Sequence, residues 1–169
     1  MSSTNRGAER QQHDLYPTPA PPIDALLSVM SIPADIEFHE PCRGAGAIYD
    51  RIPCGHKNYC EINEGIDYLT YQPTRMVDLI VTNPPFSLAL EFLQKSLRES
   101  ITVCYLLRLN FLGSQKRRTF WQANRPSHVL VLSKRPCFTG DGHTDSIEYA
   151  WFCWDRGGFV TLEPGVHVL

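Results

Sequence analysis

Apolar runs bounded by glycine, proline and asparagine divide the chain into alternating strand-like and helix-like segments. Residues 78–82 and 101–107 are continuous apolar runs, the pattern expected of strands covered by helices on both faces. Residues 36–39 and 58–62 predict shorter strands, the second ending around Glu61, and residues 128–133 and 147–154 predict two more. Between them fall helical patterns. Residues 23–30 predict a short helix after an extended segment set by Pro17, Pro19, Pro21 and Pro22. Ser87 is placed to cap a second helix with an apolar stripe of Leu88, Phe92, Leu93 and Leu97. Residues 114–124 predict a basic helix with Phe120 and Trp121 as packing anchors. Strands alternating with helices, then a closing hairpin, predict an α/β layered sandwich with a mostly parallel sheet.

The strand at 78–82 runs directly into Asn83-Pro84-Pro85-Phe86. Consecutive prolines lack N–H donors and fix φ, so the strand must stop there and leave an amide and an aromatic ring at its carboxyl end. In open α/β sheets that is where ligands bind. An amine on a nucleobase or carboxamide is a poor nucleophile because its lone pair is delocalised. Acceptors in line with its N–H bonds, here the Asn83 side-chain oxygen and the Pro84 carbonyl, draw that nitrogen towards sp3, while Phe86 stacks on the planar group. The same residues would also serve a plain strand-ending turn with a buried Phe.

Composition places this chemistry in a single-domain protein of 169 residues with 43% hydrophobic and 20% charged residues. Residues 1–13 are polar and read as a disordered lead-in, and residues 14–169 as one catalytic domain without room for a separate target-recognition domain. With no signal-peptide core and no membrane-length apolar stretch, a cytoplasmic protein is expected. Six cysteines without a Cys-x-x-Cys pair suit free thiols in a reducing compartment, and Cys54, His56 and Cys60 match no standard zinc spacing. The loop holding Asp141, His143 and Asp145 reads as a Gly- and Asp-rich hairpin connector rather than a metal site, so no metal is expected. The net charge of −2 conceals an acid-free stretch between Glu99 and Asp141 in which Arg108, Lys116, Arg117, Arg118, Arg125, Lys134 and Arg135 supply seven of the sixteen cations. A one-signed block of this length fits a polyanion contact, with a solvated face as the plain alternative.

Gly44 and Gly46 follow the first strand and permit a tight turn close to a ligand. The third glycine of the dinucleotide fingerprint is missing and Glu40-Pro41 introduces the turn, which favours a ligand without a pyrophosphate. Glu40 suits a cationic amino group, Glu61 a pair of ribose hydroxyls, and Asp67 an adenine amino group. From these residues through the Asn-Pro-Pro-Phe turn, the chain resembles the class I S-adenosylmethionine-dependent DNA adenine-N6 methyltransferases, and looks most like the small ones carried by phages and prophages. That resemblance implies a Rossmann-like class I methyltransferase sandwich with S-adenosyl-L-methionine as cofactor. It assigns Tyr16, Thr18 and Pro19 to the methionine end of the cofactor, Glu40, Pro41, Gly44 and Gly46 to the glycine-rich motif, Glu61 to the ribose, and Asp67 with Tyr68 to the adenine. It makes Asn83, Pro84, Pro85 and Phe86 the catalytic tetrapeptide and Phe138 the second aromatic flanking the flipped base. Arg43, inside the glycine turn, departs from the small residues usual there.

The resulting expectation is methyl transfer to the N6 amine of adenine in DNA, with Lys116, Arg117, Arg118, Lys134 and Arg135 gripping phosphates. Recognition must then be short, relaxed or supplied by a partner, whether a second copy or a specificity protein. Similar tetrapeptides occur in RNA and protein-glutamine methyltransferases, and a non-catalytic cofactor- or DNA-binding subunit of this fold is the rival outside enzymes.

Overall fold

The computed structural model describes residues 17–139, 144 and 146–169. Seven strands form one sheet in the order β2-β1-β3-β4-β6-β5-β7. Their ranges are β1 Glu37–Glu40, β2 His56–Tyr59, β3 Val77–Thr82, β4 Ser100–Arg108, β5 His128–Val131, β6 Tyr149–Asp155 and β7 Gly165–Val168. All pair in parallel except β6, which lies antiparallel between β4 and β5. Three α-helices accompany them: α1 Ala20–Leu27, α2 Ala89–Glu99 and α3 Arg118–Ala123. The expected α/β sandwich with a parallel sheet and a closing hairpin is therefore the fold. The order reverses beside β1, which places a crevice at the carboxyl ends of β1 and β3.

Alternation along the central strands sorts the core into two layers. Cys104 and Leu106 of β4 and Tyr149, Trp151 and Cys153 of β6 face the α1 layer. Val103, Tyr105 and Leu107, with Ala150, Phe152 and Trp154, face the layer of α2 and α3. Trp151 donates its indole N–H to the Pro22 carbonyl at 2.8 Å, which ties α1 to the middle of the sheet. All six cysteines are free, as expected, and Cys60, Cys104 and Cys153 are buried. Among the described residues no helix is long and apolar enough to cross a membrane, and no group of His, Cys, Asp and Glu could hold a metal ion.

Several boundaries differ from expectation for local reasons. Pro21 and Pro22 open α1 instead of preceding it, since the first helical turn needs no N–H bonds from them. Ser87 does not cap α2: it lies inside a 3-10 turn, Phe86–Leu88, and α2 starts at Ala89 without a side-chain cap. The basic helix is shorter than its pattern, with a 3-10 turn Gln115–Arg117 preceding α3. Strand β2 ends at Tyr59, so Glu61 stands beyond it as the cap of a 3-10 turn Ile62–Glu64. Strand β7 had no sequence signal. The Asp141, His143 and Asp145 loop and the N-terminal lead-in lie outside the described residues.

Candidate functional site

The glycine turn follows β1 because its backbone demands it: Gly44 has φ +54° and Gly46 φ +89°, conformations that favour glycine. A side chain at Gly46 would also press on Asp50, whose carboxylate oxygen would lie 3.1 Å from its Cβ, whereas the space beside Gly44 is open. The turn is locked to the next strand's end. Glu61, buried, accepts from the Gly44 N–H at 2.7 Å through one oxygen and from the Asn63 N–H at 3.0 Å through the other. Each carboxylate oxygen has a second lone pair, so Glu61 keeps acceptor capacity for hydroxyl groups. Arg43 lines the cavity beside Glu40, and its guanidinium lies 4.0 Å above the Tyr59 ring and 2.5 Å from Glu64.

Glu40 ends β1 and is 2% exposed, and its Oε2 has no hydrogen-bond partner among the described residues. Burial pushes its carboxyl well above the usual range, against the opposing pull of the Tyr49 N–H and of Arg43. A buried acid with an orphaned oxygen is costly, and a cationic ligand group would relieve that cost. Glu40 lines a cavity of about 270 Å³ together with Thr18, Gly44, Asn63 and Asn83. A second cavity of about 280 Å³ is lined by Glu61, Ile62, Ile66, Asp67, Leu88 and Phe92. Cys42 and Pro85 line both. The arrangement suits a bipartite ligand with a charged end beside Glu40 and a planar end among Ile62, Ile66 and Leu88, which are conspicuously exposed for their type.

The Asn-Pro-Pro-Phe turn meets both cavities through Pro85, while Asn83 lines the one that holds Glu40. Thr82 and Cys42 approach within 3.0 Å, and the buried Cys42 thiol donates to the Asn83 carbonyl at 3.4 Å, fixing the start of the turn. Burial raises the Cys42 pKa, so it stays a thiol. Pro84 is buried, and Asn83, Pro85 and Phe86 are half-buried.

The structure brings together Thr18, Glu40, Gly44, Asn83 and Pro85 at one cavity and Pro41, Glu61, Asp67 and Tyr68 at the other. Pro19 caps α1 beside Thr18. Tyr16 lies outside the described residues. Asp67 accepts from the Leu69 N–H at 2.9 Å. Tyr68 is only 2% exposed, and its hydroxyl lies 2.9 Å from Ser96 and 3.1 Å from Glu99, so it forms a floor rather than an open wall. Ser96 in turn contacts the Tyr105 hydroxyl at 2.6 Å, which makes the floor a fixed polar network.

Two residues at this end carried no site assignment from sequence. Tyr149, fully buried, packs against both Phe86 and Phe138, with ring centroids 6.0 Å and 5.1 Å away. Arg108 lies opposite Tyr149 in the β4–β6 register, donates Nε–H to its hydroxyl at 2.9 Å, and holds its guanidinium 4.6 Å from the Phe86 ring centroid. The available signal was Arg108 ending a strand parallel to β3, at the same edge as Asn83. The basic block is not uniform. Arg117 folds back, donating to the Phe111 carbonyl at 2.7 Å and stacking on the Phe111 ring, and Arg135 pairs with Glu148. Lys116 and Arg118 are exposed.

No family model matches the chain, and no curated protein is detectably similar in sequence. Solved structures do match. A proposed class I S-adenosylmethionine-dependent methyltransferase of Listeria monocytogenes superposes with a TM-score of 0.61 at 11% identity, over 86% of this chain and 61% of its own. A proposed RNA methyltransferase of Pyrococcus horikoshii gives a TM-score of 0.62 at 17% identity, over 83% of this chain and 86% of its own. A modification subunit of a proposed type I restriction enzyme from Vibrio vulnificus YJ016 gives 0.64 at 17% identity, over 84% of this chain and 44% of its own. This chain thus spans less than two thirds of the Listeria and Vibrio proteins, and what it has in common with all of these structures is the class I methyltransferase fold.

Proposed function

We propose that the chain is an S-adenosylmethionine-dependent methyltransferase acting on the N6 amine of adenine in DNA, with the target base taken out of the stack. The observation that carries the reading is the Asn83-Pro84-Pro85-Phe86 turn, whose Asn83 lines the same cavity as Glu40, an acid with an orphaned carboxyl oxygen among the described residues, and whose Pro85 lines that cavity and its neighbour. The residues fit the cofactor. Glu40 would hold its ammonium group, Glu61 its ribose hydroxyls, and Asp67 with Ile62 and Leu88 its adenine. When bound, it supplies an electrophilic methyl group.

The chain's own residues prepare the nucleophile. Asn83 Oδ1 and the Pro84 carbonyl accept the two N–H bonds of the target amine, localising its lone pair. Phe86, steadied by Arg108 and Tyr149, stacks on the base, and Phe138 stands against the same Tyr149. With the cofactor held beside Glu40 and Glu61, the amine oriented by Asn83 and Pro84 would take up the methyl group that the cofactor supplies and would release its surplus proton to water. A fold common to a proposed RNA methyltransferase and a modification subunit of a proposed type I restriction enzyme makes RNA the second reading. The test is incubation with tritiated cofactor and DNA, RNA or a glutamine-containing peptide, followed by nucleoside mass spectrometry. Label in N6-methyladenine from DNA is expected, and label confined to RNA or peptide would overturn the substrate assignment.

A further inference from the structure

The acid-free block leaves a cluster of donors on the outside of the α3 layer. Residues 115, 118, 122 and 125 recur at intervals of three, four and three, so Gln115, Arg118, Gln122 and Arg125 line one stripe across the 3-10 turn, α3 and the segment after it. All four are exposed, and they line a single concavity of about 570 Å³. No acidic residue lines it. Among the described residues neither Arg118 nor Arg125 forms an ion pair, whereas Arg43, Arg51, Arg75 and Arg135 do.

Trp121 lines the same concavity, and its Nε1–H is buried without an acceptor among the described residues. The other two indoles are satisfied: Trp151 donates to Pro22 and Trp154 to Asn124. Every hydrogen-bonding group from Trp121, Arg118 and Arg125 is a donor, and each glutamine adds an amide NH2. Such a wall complements an anion whose oxygens accept several bonds at once. Two guanidinium groups along one stripe, with no carboxylate between, suit a chain of phosphates better than a single acid.

The concavity lies on the layer of α2 and α3, while Phe86 and Phe138 pack against the α1 layer, so it is separate from the base site. We infer that the Gln115–Arg125 stripe is a phosphodiester-binding surface that holds nucleic-acid backbone flanking the target nucleotide. The inference rests on the nucleic-acid reading above; of the expected phosphate-gripping residues Lys116, Arg117, Arg118, Lys134 and Arg135 it keeps Arg118 and adds Arg125. DNA and RNA present the same phosphodiester chemistry, so both are probed.

The experiment uses the full chain, titrated with labelled oligothymidylate, oligouridylate and an unrelated DNA duplex over a salt series. Binding is followed by anisotropy, and the indole N–H resonances by NMR. The Trp121 resonance is expected to move while those of Trp151 and Trp154 stay. Arg118→Gln with Arg125→Gln should weaken binding for all sequences. The slope of log affinity against log salt should flatten by roughly 0.9 per lost contact on duplex DNA and roughly 0.7 on a single strand. Cofactor affinity, measured alongside, should be unchanged. Nucleic acid that binds with a silent Trp121 and an unaltered slope in the double variant overturns this surface and leaves the methyltransferase reading standing. Changed sequence preference at constant slope overturns the phosphate assignment in favour of base contacts. A chain that binds cofactor but neither DNA nor RNA overturns the nucleic-acid reading, and this surface with it.

Discussion

The half of the sheet built from β2, β1 and β3 and the half built from β4, β6, β5 and β7 treat polar groups in opposite ways. In the first, Glu40 and Glu61 are buried at the strand ends and Asp67 and Asn83 stand beside them, around two cavities. In the second, Trp151, Phe152, Cys104 and Cys153 are fully buried, the buried polar side chains Ser100, Thr102 and His128 are hydrogen-bonded within the protein, and Arg118 and Arg125 lie outside. Burying an acid without a full set of partners destabilises the free protein, and nothing in the packing of the first half requires it. The first half is therefore shaped for a ligand that enters, the second for stability and for a ligand that lies across its surface. This division can be broken experimentally at either end.

The largest effect is expected at Asn83. Asn83→Ala removes an acceptor acting on the nucleophile and should lower single-turnover methyl transfer by about 100- to 1000-fold. Cofactor affinity, measured by calorimetry, should hardly change. Near-normal turnover would dissolve the distinction between a reacting wall and a merely binding one.

Glu40 comes next, with pH as the sharper readout. Its carboxyl is raised in the free protein mainly by burial, so the free form carries a proton above the usual carboxylate range. A bound ammonium favours the ionised form. Cofactor affinity should therefore rise with pH by up to about tenfold per unit until the raised pKa is passed, with a proton released on binding. The free protein behaves in the reverse sense: stability linked to the raised pKa is present at low pH and is lost as pH climbs through it. Glu40→Gln should flatten both dependences, weaken cofactor binding and raise the melting temperature of the free chain. Asp67→Ala should weaken cofactor binding less and leave its pH dependence intact.

The cavity half was the legible half because its function is imposed on the backbone. Prolines end β3 just before Asn83, and positive φ at Gly44 and Gly46 leaves glycine in the sequence whatever the rest of the fold does. The other half was legible only as strands and charge. Strand β7 joins β5 through backbone pairing, His128 against Gly165 onward, and Val166 and Val168 remain over 70% exposed, so no alternation marked it. Tyr149 meets Phe86 only because β6 inserts antiparallel beside β4, a register that no local pattern specifies. The basic block showed its charge but not the fate of each cation. Arg108 bonds Tyr149, Arg117 the backbone and Arg135 a glutamate, and only the fold decides which.

Arg108 is where the two halves meet, and there the expected effect is intermediate. Arg108→Met keeps the length of the side chain but removes the cation over Phe86 and the bond to Tyr149. A cation–π contact contributes roughly 0.5–2 kcal/mol, so KM for nucleic acid should rise about two- to thirty-fold, while cofactor affinity stays constant. Tyr149→Phe should reproduce part of this, and the two changes together should be less than additive. Full additivity would mean that Arg108 does not act through Tyr149.

The smallest effect, and the finest division, is expected between two adjacent residues. Arg117 donates to the Phe111 carbonyl at 2.7 Å and to the Asn110 carbonyl at 3.4 Å, and its guanidinium lies 4.2 Å from the Phe111 ring centroid. These carbonyls belong to a 3-10 turn, Leu109–Phe111, that carries the chain from β4 towards α3. Arg117→Gln should therefore act on folding, costing about 1–2 kcal/mol through the lost charge-assisted bonds and ring contact. Arg118, one residue on, is exposed and forms no ion pair among the described residues, so Arg118→Gln should leave stability within about 0.5 kcal/mol of the parent. Denaturant unfolding and the salt dependence of nucleic-acid binding, run on both variants, should cross: stability falls only for Arg117→Gln, and the salt slope flattens only for Arg118→Gln. If both variants flatten the slope equally, the block acts as a diffuse field of charge, and the assignment of separate roles to neighbouring arginines fails.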